Sequence, residues 1–385
     1  MSTSQSRRQW LKSSLLFSAG AAAFPASAWA ADSPEFSYPE APEVWMPERE
    51  AAAVTIRLNA NENPYGPSDK ARLAIVDALK LGNRYPWLHT PELVSMIAKK
   101  EGLKEENILL GAGSSELLAK AGFAFGMAAG AQVISANPTF MSLMRYAQVA
   151  GAKWVPVELT AKYAHNFDAM EAAMKGKNNL MYICNPNNPT GTLTPANDIE
   201  AFCKRVSKHA PIFCDEAYNE FLDEPKKHSM VHLINEGYPV MVAKTFSKIH
   251  GMAGLRIGYL MGRKEEIEKV AAFDGRGMTL AATSVKAAIA SYQDEEFVKE
   301  CLAKNAAVRK HVCQGLENMG IDYIPSYTNF MMFKIPIGTQ AFIGEMQSHG
   351  VGIRGWEMKG GPWCRVSMGT MDEMDGFLAA LKKVV

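Results

Sequence analysis

Lys248 and Arg256 stand eight residues apart in the stretch KTFSKIHGMAGLRIGY, with Thr245 and Ser247 just before the lysine and a Gly-rich turn between. A lysine in apolar surroundings or near other cations loses basicity, and its neutral amine can then attack a carbonyl. The arginine offers a planar fork suited to phosphate, and the two hydroxyls add donors. Taken alone, the lysine has a plainer alternative, a surface side chain with its charge in water, which is the common fate of a single lysine.

Three other stretches add complementary groups. In NILLGAGSSELL a strand-like run ends at Gly111-Ala112-Gly113, and a helix opens at Ser114 and Ser115. A helix start presents unpaired N–H groups and a positive dipole end, both suited to phosphate. The plain alternative is capping by Gly113, with Glu116 reaching back. The spacing is not GxGxxG, which disfavours a nicotinamide enzyme. In CNPNNPTGTLTP a proline-bounded loop ends another strand, and the Asn188 amide can donate to a phenolic oxygen. In PIFCDEAY an acidic pair closes an apolar run, followed by Tyr218. A carboxylate buried there requires a cation or donors. The alternative is a helix-capping Asp215 beside a solvated Glu216. Together these groups describe one cofactor. A lysine for a Schiff base, a carboxylate for a ring nitrogen, an Asn and a Tyr beside a phenolate, and a phosphate cradle fit pyridoxal phosphate.

Positioning these groups requires a particular scaffold. Seven short apolar runs, from NILLGAG to LRIGYLMG, alternate mostly with helix-length amphipathic segments. Continuous apolar runs suit strands buried on both faces, and the alternation predicts a largely parallel sheet in an α/β architecture. After Gly275 the rhythm shifts. A long helix is expected from about Asp294 to Met319, then short strands around NFMMFKI, VGIRG and WCRVSM, then a terminal helix from about Met371. The expected organisation is a signal over 1–30, an arm and small-domain segment over 31–81, a large cofactor-binding domain over 82–275, and a small C-terminal α/β domain over 276–385.

The 385 residues are 48% hydrophobic with a formal charge of +1, which supports sizeable cores and gives no footprint for nucleic acid or an anionic membrane. The N-terminus stands apart. Paired Arg7 and Arg8, a short apolar stretch and the pattern Ala28-Trp29-Ala30 form the parts of a removable export signal. The arginine pair resembles the twin-arginine signal, which exports folded proteins. That implies passage through the twin-arginine translocase, cleavage after about Ala30, a periplasmic location and no lasting membrane anchor. The six cysteines lack metal-like spacing, and a protein folded before export is expected to need no disulfides.

From RLNANENPYGPS to CRVSMGT the chain resembles the class I/II aminotransferases of the aspartate aminotransferase fold (fold type I), and within them the histidinol-phosphate aminotransferase branch. The ordered set NPTG, DEAY, SK with Arg eight residues on, and a late Arg-Val-Ser carries the resemblance. It implies a large domain with a mostly parallel, seven-stranded sheet. It makes Lys248 the Schiff-base lysine and later proton carrier, and Asp215 the partner of the ring nitrogen. Asn188 and Tyr218 would contact the phenolic oxygen. Ser114, Ser115, Thr245, Ser247 and Arg256 would hold the phosphate, and Phe140 would stack on the ring. Tyr85 matches a tyrosine that reaches the neighbouring subunit's phosphate, which implies a homodimer with shared sites. Arg365, Arg354 and Asn329 fall on the substrate side, favouring anionic amino and oxo acids.

The chain departs from the family pattern at Phe140, where a tyrosine is common, and at Ser114-Ser115, where Ala-Asp is common. FDGRGMTLAATS lacks a usual Pro-Tyr. Because histidine biosynthesis is cytosolic, the export signal argues against that pathway. The expected activity is amino transfer between an α-amino acid, or an amino group of an exported metabolite, and a 2-oxo acid. Racemisation or β-elimination at the same lysine is the alternative, and a non-catalytic binding protein is the third reading.

Overall fold

A computed structural model describes residues 54–275 and 278–385, and their strands fall into three sheets. In chain order the strands are β1 (Ile56–Arg57), β2 (Ile108–Gly111), β3 (Gln132–Asn137), β4 (Lys153–Glu158), β5 (Asn179–Cys184), β6 (Ile212–Asp215) and β7 (Val240–Thr245). There follow β8 (Gly258–Met261), β9 (Tyr323–Ile324), β10 (Phe330–Lys334), β11 (Val351–Gly352), β12 (Arg354–Met358) and β13 (Gly361–Ser367).

The seven apolar runs are the seven strands of the largest sheet, in the order β2-β8-β7-β6-β5-β3-β4. Only β8 runs against its neighbours. Every residue of β5, β6 and β7 is buried, as continuous apolar runs require. Successive side chains point to opposite faces. Met181, Ile183, Ile212, Cys214, Val240 and Val242 therefore enter one core, while Leu180, Tyr182, Cys184, Phe213, Met241 and Ala243 enter the other. The helix Ser114–Gly126 covers the second face through Leu117, Leu118 and Ala121.

The smaller antiparallel sheet has the order β12-β13-β10-β9. It uses the same alternation. Met331, Phe333, Cys364 and Val366 pack into a third core with the helices Glu295–Asn318 and Met371–Val384. Phe330, Met332, Trp363 and Arg365 point the other way, and Phe330 meets Tyr218 edge-on at 5.0 Å. VGIRG divides at Ile353: β11 pairs with β1 in parallel, and β12 joins the antiparallel sheet. The expected boundary at 276 precedes the helix Ala282–Tyr292, whose Val285, Ala288 and Ile289 join the core of the large sheet.

All six cysteines are free thiols, five of them buried. Among the described residues no helix is long and apolar enough to cross a membrane. The signal-like segment and the arm over 31–53 lie outside the described residues.

Candidate active site

Strands β5, β6 and β7 end side by side, and the loops beyond them bring together the residues singled out in the sequence. Asp215 is the last residue of β6 and is 2% exposed. Its Oδ2 accepts from the Tyr182 hydroxyl at 3.0 Å and its Oδ1 from the Ala217 N–H at 3.2 Å. Burial pushes its carboxyl up to about 6, opposed by those two donors. A cation laid against it would restore ordinary acidity.

Three residues beyond β7, Lys248 donates through Nζ to the Asn61 carbonyl at 3.1 Å and lies 5.6 Å from the centre of the Tyr218 ring. Burial, then the nearby Arg365 charge, push its amine down from 10.5 to about 8; Glu62 opposes and Arg256 adds to the fall. At that value about half the amine is neutral at pH 8, against well under a hundredth for an ordinary lysine.

The phosphate-suited groups converge as well. Ser247 Oγ accepts from Thr245 Oγ1 at 3.0 Å and lies 3.4 Å from Arg256 Nη1. Arg256 Nη2 donates to the Ala112 carbonyl at 3.1 Å, which holds the guanidinium against the start of the Ser114–Gly126 helix. Gly113 caps that helix with φ of +79°. A Cβ there would strike the Arg256 guanidinium. A Cβ on Gly258 would meet the Ser114 backbone nitrogen at 2.7 Å. Two glycines thus let the helix start, β8 and the arginine close up into one cradle. Ser114 is buried in it and Ser115 is exposed. Glu116 does reach back, to the Ala112 N–H rather than to the cap residue.

On the opposite side Tyr218 accepts at its hydroxyl from Asn61 Nδ2 at 3.0 Å and from Asn188 Nδ2 at 3.4 Å. Burial holds its phenol well above the ordinary value. Asn188 Oδ1 in turn accepts from Arg365 Nη1 at 2.7 Å, and Asn59 O accepts from Nη2 at 3.1 Å. Arg365 is 3% exposed, its Nε has no partner, and burial lowers its pKa to about 9. No carboxylate among the described residues pairs with it. A buried cation in that state carries a desolvation penalty of several kcal/mol that an incoming anion offsets. Arg354 lies beside it and is likewise pushed down by burial.

The remaining expected residues fall in different places. Phe140 is half-buried against the second core, next to Thr139, whose hydroxyl donates to Asn187 Oδ1 at 2.8 Å. Asn329 directs its amide at the carbonyls of Asn61 and Glu62, both at 3.1 Å, and its buried Oδ1 has no partner. Tyr85 stands outside this network, 59% exposed and stacked on Trp87 at 4.9 Å.

Two residues were missed in the sequence. Asn61 binds Tyr218, Lys248 and Asn329, and its backbone N–H donates to Ser367 Oγ at 2.7 Å. Its φ of 52° is uncommon outside glycine and is tolerated best by Asn and Asp, the one local signal available. Tyr182 sat in an apolar run where an aromatic reads as core. Glu216 corrects the alternative of a solvated neighbour for Asp215. It is 3% exposed and accepts from Ser229 Oγ at 2.7 Å and Met230 N–H at 2.8 Å, with Lys244 Nζ at 3.9 Å. Residues 215 and 216 face opposite sides of the sheet, so one acid serves the site and the other an internal ion cluster.

The donor set fits pyridoxal phosphate: a weakened lysine, a carboxylate awaiting a cation, a phosphate cradle and a buried arginine lacking a counter-ion. A family model described as aminotransferase class I and II matches residues 53–381. The chain is 34% identical over 330 residues to histidinol-phosphate aminotransferase 2 of Nitrosospira multiformis, covering 85% of this chain and 83% of that one. It is 32% identical over 333 residues to an aromatic amino acid aminotransferase of Cutibacterium acnes, covering 86% and 92%. Among solved structures, histidinol-phosphate aminotransferase from Sinorhizobium meliloti in complex with pyridoxal-5'-phosphate superposes with a TM-score of 0.79. That pair shares 26% identity and covers 92% of this chain and 98% of the other.

Proposed function

The chain belongs to the class I and II aminotransferases, enzymes dependent on pyridoxal phosphate, and from that membership we propose that it moves an amino group between an anionic α-amino acid and a 2-oxo acid in the periplasm. The observation that carries this reading is the half-buried Lys248 amine, hydrogen-bonded to the Asn61 carbonyl and weakened to about 8, within one site shared with Asp215 and with Arg365, which has no carboxylate partner among the described residues. Bound pyridoxal phosphate supplies an aldehyde for amines and a ring that accepts the electron pair released at the substrate Cα.

The chain's residues supply the rest. Ser114, Ser115, Thr245, Ser247 and Arg256 hold the phosphate. Asp215 keeps a proton on the ring nitrogen. Asn188 and Tyr218 would meet the cofactor's phenolic oxygen, and Phe140 would stack on its ring. Arg365 takes the substrate carboxylate through its guanidinium edge, with Arg354 beside it for a second negative group and Asn329 at the same wall. Lys248 Nζ, in its neutral form, would take the Cα proton; acid–base work of this kind contributes about 10²–10⁴-fold. Tyr85, exposed beside Trp87, would reach the phosphate held by a second copy in a homodimer with shared sites. The twin-arginine motif supports export of the folded enzyme, cofactor already in place, through the twin-arginine translocase.

The test is a screen of amino acids, histidinol phosphate and aromatic substrates against the purified protein, with no oxo acid added. An aminotransferase releases about one oxo acid per site and stops. Continuous formation of the opposite enantiomer, or of ammonia, would instead establish a racemase or a β-lyase. Lys248→Ala should abolish every one of these products.

A further inference from the structure

Asp215 is held by two donors from the chain, and one comes from a residue with no role in the reading above. Tyr182 lies on β5, two residues before Cys184, which is the register partner of Asp215. Tyr182 and Phe213 are likewise paired, so Tyr182 and Asp215 project from the same face of the sheet. The Tyr182 side chain is fully buried and its ring centre lies 6.1 Å from that of Phe213. Packed this way the phenol donates to Asp215 Oδ2 at 3.0 Å, with the Cys184 thiol also beside it.

We infer that Tyr182 is a positioning residue that fixes both the aim and the negative charge of Asp215, and through it the protonation of the cofactor's ring nitrogen. Burial alone disfavours the carboxylate, and a donor to it favours the charged form. Tyr182 suits that task because its own phenol is pushed far above 10, first by burial and then by the Asp215 charge. It therefore stays a donor at every working pH. The second donor, the Ala217 N–H, comes from the backbone and fixes only the other oxygen. Without the Tyr182 hydroxyl, Oδ2 would lose the donor it accepts from in the chain, and the carboxyl would turn or take up a proton more readily. Either event leaves the ring nitrogen without its counter-charge.

The inference rests on the proposed cofactor chemistry, and its test separates the two. Tyr182→Phe keeps the ring and removes the donor; a melting curve checks its fold. The dissociation constant for pyridoxal phosphate, measured by titrating cofactor-free protein, should rise about tenfold, the scale of one hydrogen bond to a charged group. In the loaded enzyme kcat should fall by about the same factor with KM little changed. Tyr182→His, which restores a ring donor, should recover part of both. The decisive arm uses a cofactor analogue with carbon in place of the ring nitrogen, where wild type and Tyr182→Phe should bind and react alike. A Phe variant equal to wild type with the natural cofactor overturns the inference, as does a loss that persists undiminished with the analogue. Should Tyr182→Phe not fold, the His variant with both cofactors discriminates in the same way. Failure of the wild-type protein to bind pyridoxal phosphate at all would instead overturn the function itself.

Discussion

Arg354 and Arg365 stand directly opposite each other on β12 and β13, and the indole of Trp356 lies against both, its ring centre 5.2 Å and 4.8 Å from the two guanidinium carbons. Like charges across a strand pair repel, and the Arg354 charge is one reason Arg365 is less basic than usual. The pair persists because an aromatic face attracts cations and because each planar group can stack flat on it. Contact through the guanidinium face keeps the donors of Arg365 directed along its edge, where Nη1 and Nη2 meet Asn188 and Asn59 and Nε has no partner.

Removing the indole should therefore weaken anion recognition without touching the proton-transfer machinery. Trp356→Ala is expected to raise KM for carboxylate substrates about tenfold, two lost cation–π contacts, with kcat held within about a factor of two. Initial-rate kinetics on one good substrate decide this. A fall in kcat at unchanged KM would place the indole elsewhere in the mechanism.

The weakened lysine makes cofactor uptake depend on pH in a stated direction. Only the neutral amine attacks the aldehyde, so uptake by cofactor-free protein should rise with pH and level off above about 8. Arg365 is the largest influence after burial. Arg365→Ala should move the midpoint upward, towards 10.5, and slow uptake at pH 7 by about three- to tenfold. Stopped-flow absorbance against pH reads the shift; a midpoint that stays or falls contradicts the electrostatic account.

Gly258 tests the cradle. A Cβ there would meet three backbone atoms, Ser114 N at 2.7 Å, Lys244 O at 2.9 Å and Gly113 C at 3.0 Å, and backbone yields little. Gly258→Ala should destabilise the protein by about 1–3 kcal/mol in denaturant titrations. It should also weaken pyridoxal phosphate more than pyridoxal, because the helix start that meets the phosphate is what moves. Equal weakening of both ligands would show general damage instead.

Export is tested at its two arginines. Replacing Arg7 and Arg8 together by Lys should leave active enzyme in the cytosol, measured by fractionation and activity. Appearance of the active variant in the periplasm would remove the twin-arginine assignment and leave the catalytic reading intact.

Much of this site was legible because its chemistry needs rare residue types at strand ends, where the sequence pattern changes abruptly. Lys248, Asp215, Asn188, Tyr218 and Arg365 all lie at or just beyond such changes, or on a short strand with an apolar face. The seven strands were legible for the same reason, since burial on both faces leaves an unbroken apolar run. Asn61 was not, because two of its contacts run through a backbone carbonyl and any residue type supplies one. Tyr182 was not, because a single hydroxyl at the end of a core aromatic leaves no trace in hydropathy. The packing of Ala282–Tyr292 on the large sheet also escaped, since its alanine-rich surface suits either neighbour equally.

The pairing of β1 with β11 has a mechanical consequence. Arg57 is paired into the C-terminal layer, and a few residues on, the Asn61 carbonyl anchors the reactive amine. So short a tether has almost no slack. The same stretch offers the Asn59 carbonyl to Arg365 Nη2, so one short piece of chain sets the spacing between that guanidinium and the Lys248 amine.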